Sequence, residues 1–218
     1  DVGTPLVGHP LVKKITFTGS DATGRTINEL AAKTFKRVSL ELGGKSPNIV
    51  FADARIEDAV NGAVSGIFAA TGQTCIAGSR LLLQESIHDL FVEKLMRRME
   101  RTRVGDPLDK NTDLGAVISK AQLGRIASLV DAGANEGCTL YQSSCRLPGK
   151  GFWFPPTFFT GVSQTHRIAR EEIFGPVLAV LTFRTPEEAV EKANNTSYGL
   201  SAGVWTDKGA RILWIADK

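Results

Sequence analysis

The sequence predicts an α/β fold with a largely parallel, twisted sheet flanked by helices. Two observations predict it. Short β-rich runs alternate with longer segments whose apolar residues recur at helical spacing. The 218 residues, 42% hydrophobic and 22% charged, also have the composition of a globular chain that buries a core. Parallel strands need a crossover between them, usually a helix, so the alternation favours parallel pairing.

The first elements follow this alternation. Lys13–Thr18 is predicted to be a strand, and Ser20 is the predicted N-cap of the helix after it, because its hydroxyl can accept a backbone N–H of the first turn. Arg37–Leu42 is a second predicted strand, ended by two glycines, and residues 48–52 are a third. The next helix is predicted from apolar residues at helical spacing, which are Ala59, Val60, Ala63, Val64, Ile67 and Phe68.

The later elements continue the pattern. Arg80–Gln84 is predicted to be a strand, and the helix after it to begin at Ser86, which forms a capping-box spacing with Asp89. The apolar face of that helix is predicted to comprise Ile87, Leu90, Phe91 and Leu95. We further predict a helix at 121–134, a surface loop at 142–156 that enters a strand, a strand at 176–183, a helix at 186–195 and a strand at 200–206.

Composition and charge argue against several classes of partner. The net charge is +3, from 26 basic and 23 acidic residues spread along the chain without a basic block, which disfavours nucleic-acid binding. No apolar run reaches transmembrane length, and the first residues lack the order of a secretory signal, so we expect no membrane partner. An odd, sparse set of three cysteines fits a reducing, cytoplasmic setting.

The stretch AATGQTCIAGSR contains Cys75 in a predicted loop between a helix and a strand. The odd cysteine count disfavours a disulfide, and the absence of CxxC and the scatter of the three histidines disfavour a metal site. A structural cysteine usually lies in an apolar run, whereas loops at such junctions often carry reacting groups. A nucleophile and a buried filler both remain possible for Cys75 from this stretch alone.

Three other stretches allow both a functional and an ordinary structural interpretation. Glu41, which precedes Gly43 and Gly44, is either a solvent-facing strand end or a base beside closely approaching backbone. The segment Thr18–Ser20 is either a phosphate cradle or an ordinary Ser-capped helix start. The acids Glu171 and Glu172 are either solvated or able to accept hydrogen bonds from sugar hydroxyls.

Four stretches occur together and in order: FTGSDATG, ELGGKSPNIVF, GQTCIAGSR and EEIFGPVLAV. Glu41 precedes Cys75 by 34 positions, and Cys75 precedes Glu172 by 97. These motifs and intervals resemble the NAD(P)-dependent aldehyde dehydrogenase superfamily, and the similarity runs through essentially the whole chain. The resemblance implies an aldehyde dehydrogenase-like α/β fold with a remnant of a Rossmann-like cofactor domain.

The resemblance also implies roles for individual residues. Cys75 would be the nucleophile that adds to the aldehyde, Glu41 the base that activates water, and the backbone N–H of Cys75 an oxyanion donor. The cofactor, NAD or NADP, would lie against Thr18, Gly19, Ser20, Leu42, Gly43, Glu172 and Phe174. Glu172 would hold the nicotinamide ribose and Phe174 would pack near the ring. Gln122 is placed near the ribose by spacing rather than by a motif.

Family members are about twice this length, so we expect a fragment. Residues 1–43 would be the C-terminal part of the NAD(P)-binding domain, and 44–218 a catalytic domain that stops before the last strands and the subunit-bridging hairpin. The amide that completes the oxyanion hole and the lysine that grips the adenine ribose would lie upstream. The substrate would be a small-molecule aldehyde, the full-length protein a homodimer or homotetramer, and the isolated chain inactive.

Other functions remain open at this level. A CoA-acylating aldehyde dehydrogenase would pass its thioester to a thiol and would need Glu41 less. A non-catalytic module of the same fold would need neither Glu41 nor Cys75. A cysteine hydrolase would need a Cys–His pair, and His9, His88 and His166 do not lie in a recognisable motif.

Overall fold

The computed structural model describes residues 2–218. The chain divides into two compact units, and the first ends at Gly43 while the second is Gly44–Lys218. The cofactor-binding and catalytic roles of the two units remain predictions.

The first unit contains two helices and a parallel two-stranded sheet. Its elements are α1 (Gly3–Gly8), β1 (Lys14–Thr18), α2 (Asp21–Ala32) and β2 (Arg37–Glu41). The two strands pair in register from Lys14 opposite Arg37 to Thr18 opposite Glu41. Ser20 caps α2 as predicted, since its hydroxyl accepts the N–H of Thr23 at 3.3 Å.

The second unit is built around a six-stranded sheet. Its strands are β3 (Pro47–Val50), β4 (Arg80–Gln84), β5 (Thr139–Gln142), β6 (Thr157–Thr160), β7 (Val177–Phe183) and β8 (Gly203–Trp205). Its helices are α3 (Ile56–Phe68), α4 (His88–Met99), α5 (Lys120–Asn135), α6 (Arg167–Arg170), α7 (Pro186–Asn194) and α8 (Gly209–Ala216). The strand order is β5-β6-β7-β4-β3-β8, and every pair is parallel except β5 with β6. The fold class is therefore as predicted.

The central strands β4 and β7 are buried on both faces of the sheet. Leu81 and Leu83 of β4 pack with the apolar residues of α3 and α4, and Leu82 packs in a second cluster that includes Ala189 of α7. Continuous apolar strands of this kind are expected where helices cover both faces of a parallel sheet. The residues predicted from the helical spacing of α3 are all buried, so that interpretation is confirmed.

The predicted start of α4 is wrong. Ser86 lies in a 3-10 turn, Glu85–Ile87, and α4 begins at His88 without a side-chain cap. Ile87, Phe91 and Leu95 are buried as predicted, but Leu90 is 48% exposed. The tight turn packs Ile87 into the core before the helix begins, and Leu90 then lies off the buried face.

Other boundaries differ by a few residues, and four elements were not predicted. The strand expected at 200–206 is shortened to β8, and those expected to reach Leu42 and Ala52 end at Glu41 and Val50. The elements α1, β5, α6 and α8 are absent from the prediction, since they are short or, in α8, bury no residue.

Within residues 2–218, no helix combines the length and apolarity needed to span a membrane.

Candidate active site

Cys75 lies in a tightly wound connection between α3 and β4. The chain leaves α3 through left-handed backbone at Ala70, Thr71 and Gly72, with φ of 50°, 58° and 69°. A Cβ on Gly72 would lie 2.0 Å from the carbonyl oxygen of Gly175, so no larger residue fits there. The Cys75 thiol is free and half-buried. The prediction that Cys75 lies in a glycine-containing loop between a helix and a strand is therefore confirmed.

Gly44 connects this loop to Glu172. A Cβ on Gly44 would lie 2.2 Å from the carbonyl oxygen of Cys75, so the two backbones are in direct contact. The N–H of Gly44 donates to Oε1 of Glu172 at 3.1 Å. The close approach predicted from the glycine pair is thus real at Gly44, and the group that approaches it is the backbone of the candidate nucleophile.

Glu172 and Phe174 lie on a loop that is fixed by α5. Phe174 has a left-handed backbone, with φ of 55°. The side-chain amide of Gln122 donates to the carbonyl oxygens of Ile173 at 2.9 Å and Phe174 at 3.0 Å. Arg125, one turn further along α5, donates to the carbonyl oxygen of Glu172 at 2.9 Å. The structure therefore places Gln122 as a support of the loop.

Arg125 was missed by sequence reasoning. The signal that could have found it is its spacing of three from Gln122, which places both side chains on one face of a helix.

The two neighbouring acids have different surroundings. Both carboxylate oxygens of Glu171 accept hydrogen bonds from the guanidinium of Arg167, at 2.6 and 3.3 Å. These bonds hold the pKa of Glu171 below its usual value. Glu172, in contrast, contacts Gly44 beside the Cys75 loop. A cavity of about 10 Å³ is lined by Gly44, Glu172 and Phe174 together with Thr74, the residue before Cys75.

These second-unit residues converge at the amino-terminal edge of the parallel sheet. Gly44 precedes β3, Cys75 precedes β4, and Glu172 and Phe174 precede β7. The three strands are adjacent and parallel, so the segments that enter them lie side by side. Ligands of open α/β sheets more often bind at the carboxyl ends of the strands.

The predicted site residues of the first unit lie at the carboxyl ends of its two strands, β1 and β2. Thr18 is directly opposite Glu41, and the N–H of Gly19 donates to the carbonyl oxygen of Glu41 at 3.0 Å. The N–H of Gly43 donates to Asp21 in the first turn of α2 at 3.0 Å, and Leu42 packs over Gly24. The Glu41 side chain is exposed. The predicted residues of this unit, Thr18, Gly19, Ser20, Glu41, Leu42 and Gly43, therefore form one local group.

Two buried cations beside Gly44 were not predicted. Lys45 is 1% exposed and Arg80 is 2% exposed. Burial, with a contribution from Arg80, lowers the pKa of Lys45 to about 7. Arg80 donates to the carbonyl oxygens of Lys45, Lys192 and Ala193 at 2.7 to 2.8 Å, and burial lowers its pKa to about 10. The sequence signal that could have indicated Lys45 is its position in GGKSP, two residues before the proline that begins β3.

A cysteine–histidine contact is also present, away from the predicted nucleophile. Sγ of Cys138 lies 2.9 Å from Nδ1 of His166, which also accepts the N–H of Ser163 at 3.1 Å. Burial and the nearby carboxylate of Glu136 raise the pKa of Cys138, which disfavours the thiolate that a cysteine hydrolase would use. Within residues 2–218, no group of three or more His, Cys, Asp or Glu side chains is placed to hold a metal ion.

Comparison with known protein families matches residues 1–218 to the aldehyde dehydrogenase family. The chain belongs to the aldehyde dehydrogenase family. It is 47% identical over 211 residues to betaine aldehyde dehydrogenase of Mesorhizobium japonicum, covering 94% of this chain and 43% of the relative. It is 46% identical over 216 residues to retinal dehydrogenase 2 of Taeniopygia guttata, covering 99% and 42%.

Solved structures agree with this membership. The NAD-dependent aldehyde dehydrogenase from Sinorhizobium meliloti superposes with a TM-score of 0.95 at 46% identity, covering 99% of this chain and 43% of that one. The chain thus spans less than half the length of the relatives that it matches. The resemblance seen in the four sequence motifs is confirmed at the level of family and fold.

Proposed function

We propose that these 218 residues carry the chemical centre of an NAD(P)-dependent aldehyde dehydrogenase that oxidises a small-molecule aldehyde to a carboxylic acid. The observation that carries the proposal is the junction at Gly44. The backbone of Cys75 occupies the space that a side chain on Gly44 would fill. The N–H of Gly44 also donates to the carboxylate of Glu172. A nucleophile and a cofactor-binding acid held by the same residue suit a reaction between a bound aldehyde and a nicotinamide.

Cys75 forms the covalent intermediate in this proposal. Its thiolate adds to the aldehyde carbon and forms a carbon–sulfur bond, and the backbone N–H of Cys75 donates to the resulting oxyanion. A bound nicotinamide would supply the hydride acceptor, and the thiohemiacetal on Cys75 would become a thioester when it gives up that hydride. Glu41 accepts a proton from the water that attacks the thioester, and the carboxylic acid and the Cys75 thiol are released.

The cofactor residues divide between the two units. At the end of β1, Thr18, Gly19 and Ser20 present backbone and hydroxyl groups at the N-terminus of the twelve-residue helix α2, an arrangement that suits phosphate. Leu42 and Gly43 supply backbone neighbours of the nicotinamide. Glu172 accepts hydrogen bonds from ribose hydroxyls, and Phe174 packs near the ring. Gln122 acts on the ribose mainly by fixing the loop that carries Glu172.

We propose NAD as the first cofactor to test, because the solved relative from Sinorhizobium meliloti is NAD-dependent. One named relative is a betaine aldehyde dehydrogenase and the other is a retinal dehydrogenase. Their sequence identities to this chain are nearly equal, 47% and 46%, so sequence identity does not select one aldehyde. A homodimer or homotetramer, a cytoplasmic location and the assignment of 1–43 to cofactor binding and 44–218 to catalysis are parts of the same proposal.

The experiment tests Cys75 and Glu41 separately, in a dehydrogenase-active protein that contains these 218 residues. Cys75→Ser should abolish NADH formation. Glu41→Gln should preserve a first burst of NADH and slow the steady state, because it affects thioester hydrolysis after hydride transfer. Full activity of Cys75→Ser would overturn the mechanism. Rescue of Glu41→Gln by CoA would identify thioester transfer to a thiol as a second available route.

The 218 residues alone should show little or no NAD-dependent oxidation. By the resemblance, the lysine that grips the adenine ribose and the amide that completes the oxyanion hole are not among them. NADH fluorescence with an aldehyde panel and both cofactors measures this directly. Sustained turnover by the isolated chain would contradict the expectation.

A further inference from the structure

The loop that carries Cys75, residues 69–79, contains strained backbone. Ala70 and Thr71 are not glycines, yet their φ angles are 50° and 58°. Left-handed backbone is unfavourable for a residue with a Cβ, and most of all for a β-branched one such as Thr71. Such conformations persist only where neighbouring groups hold them, and the hydroxyl of the buried Thr71 donates to the carbonyl oxygen of Gly115 at 3.1 Å. The contacts of this loop with its surroundings therefore help to place Cys75.

Gln73, two residues before Cys75, uses both ends of its side-chain amide in the same way. Its Oε1 accepts the N–H of Ile118 at 2.9 Å. Its Nε2 lies 3.4 Å from the carbonyl oxygen of Ala116 and, within the loop itself, 3.4 Å from that of Ala70. The bond from Ile118 is the shortest of the three and has ordinary N–H···O length. Gln73 therefore ties the Cys75 loop to the backbone of the segment before α5.

That segment, residues 115–118, has a fixed place of its own. Leu114 and Val117 are both buried. The N–H of Val117 donates to the carbonyl oxygen of Phe152 at 2.7 Å. Because these contacts do not involve the Cys75 loop, the segment can act as an anchor for it.

The same segment leads directly into α5, the helix that supports the loop of Glu172 and Phe174. The hydroxyl of Ser119 accepts the N–H of Gln122 at 3.1 Å and so caps α5. The Gln122 side chain then donates to the carbonyl oxygens of Ile173 and Phe174. The Cys75 loop and the Phe174 loop are therefore both bound to one continuous stretch of chain, the anchor segment and α5.

We propose that Gln73 is a positioning residue for Cys75, which fixes the Cys75 loop through residues 115–118 to the helix that supports the Phe174 loop. Its effect on catalysis rests on the proposed function, in which the thiolate of Cys75 adds to an aldehyde beside a nicotinamide. A displacement of the sulfur by about 1 Å slows a reaction that depends on close alignment, and it leaves cofactor binding largely intact.

The first measurement needs only the 218-residue chain and no cofactor. Amide hydrogen exchange by NMR compares the unchanged chain with Gln73→Met, which keeps the side-chain length and removes its hydrogen bonds. The amide of Ile118 should exchange about three- to tenfold faster, because its N–H loses its acceptor while its side chain is 79% exposed. The amide of Ala77, which closes the turn around Cys75 by donating to Thr74 at 3.0 Å, should also exchange faster.

Two further variants make the comparison specific. Gln73→Glu should restore slow exchange at Ile118, because a carboxylate oxygen also accepts the N–H. The matched control is Gln84→Met at the carboxyl end of β4, where Oε1 of Gln84 accepts the N–H of Ala52 at 2.9 Å. It should speed exchange at Ala52 and leave Ile118 and Ala77 unchanged.

The second measurement uses a dehydrogenase-active protein that contains these residues. Rapid mixing with aldehyde and NAD follows NADH formation in the first turnover. Gln73→Met should lower its rate constant about tenfold, with unchanged amplitude and little change in the KM for NAD, and Gln73→Glu should recover part of the rate. A merely structural role would lower the amplitude, which counts folded sites, and would leave the rate constant unchanged.

The two measurements separate this inference from the proposed function. Unchanged exchange at Ile118 in Gln73→Met overturns the anchor, and faster exchange at Ile118 with unchanged exchange at Ala77 overturns the positioning of the Cys75 loop. Faster exchange at both amides, combined with an unchanged first-turnover rate constant, supports the anchor and overturns the proposed role of Cys75 in the reaction.

Discussion

Replacing Lys45 with Met should stabilise the second unit, and the gain should depend on pH. Methionine keeps an unbranched apolar side chain in the same space and removes the buried amine. The pKa of Lys45 is lowered in the folded chain from 10.5 to about 7. Between these pH values the unfolded chain holds a proton that the folded chain has released, so the free energy of unfolding rises with pH.

The magnitude follows from the pKa difference. Lowering the pKa by one costs about 1.4 kcal/mol, so the free energy of unfolding of the protein with Lys45 is lower by as much as about 4 kcal/mol at pH 7 than at pH 10.5. Relaxation around a buried charge reduces such penalties, and we expect Lys45→Met to be about 2 to 4 kcal/mol more stable at pH 7. The difference between the two proteins should shrink steadily as the pH rises towards 10.5.

Urea denaturation followed by tryptophan fluorescence measures this difference in the relevant unit, because Trp153, Trp205 and Trp214 all lie in it. The control is Lys94→Met, which removes an exposed pair with Glu57 and should change the free energy of unfolding by less than about 1 kcal/mol. Parallel stability curves for Lys45→Met and the unchanged chain between pH 7 and about 9.5 would refute the reasoning.

Three further outcomes are expected. Iodoacetamide should label Cys75 at least about tenfold faster than Cys138 or Cys145, whose pKa values burial raises, and peptide mass spectrometry that found equal rates would contradict this. Gly44→Ala should destabilise the second unit by about 1 to 3 kcal/mol in urea denaturation, because its Cβ meets the Cys75 carbonyl oxygen, whereas Gly66→Ala in α3 meets nothing within 4 Å and should be neutral or stabilising. Gln122→Ala should speed hydrogen exchange of amides 172–175 with little effect on the core strands, because it removes two hydrogen bonds to the loop; an unchanged loop rate would show that Arg125 alone suffices.

The strands and long helices were predictable because each one follows a single periodic rule. The apolar residues of α3 recur every three to four positions, and the three leucines of β4 form an uninterrupted buried run. The start of α4 was mispredicted because Ser86 has capping chemistry, while the packing of Ile87 into the core selects a 3-10 turn there. Tertiary packing of one apolar side chain therefore outweighs a local hydrogen-bonding preference.

The contact between Cys138 and His166 could not be predicted, because it is produced by strand register. Cys138 directly precedes β5 and His166 follows β6, and the antiparallel pairing of Thr139 with Thr160 brings these segments together. The residues are 28 apart, and no local pattern encodes the pairing of so short a strand. Sequence reasoning found no motif around His166, although this histidine does contact a cysteine.

The short stretch from Gly43 to Ser46 explains why motif residues can be recognised before their roles are understood. The sequence predicted that its glycines permit a close approach, and the structure shows that at Gly44 both the N–H and the missing side chain are used. The Nζ atom of the next residue, Lys45, has no hydrogen-bond partner among residues 2–218, so no side-chain pairing rule would have selected this lysine. Lys45 is buried beside Arg80, whose guanidinium donates to the Lys45 carbonyl oxygen where the segments that enter the parallel strands β3 and β4 pack together. An ammonium that is buried in this position without a hydrogen-bond acceptor costs stability.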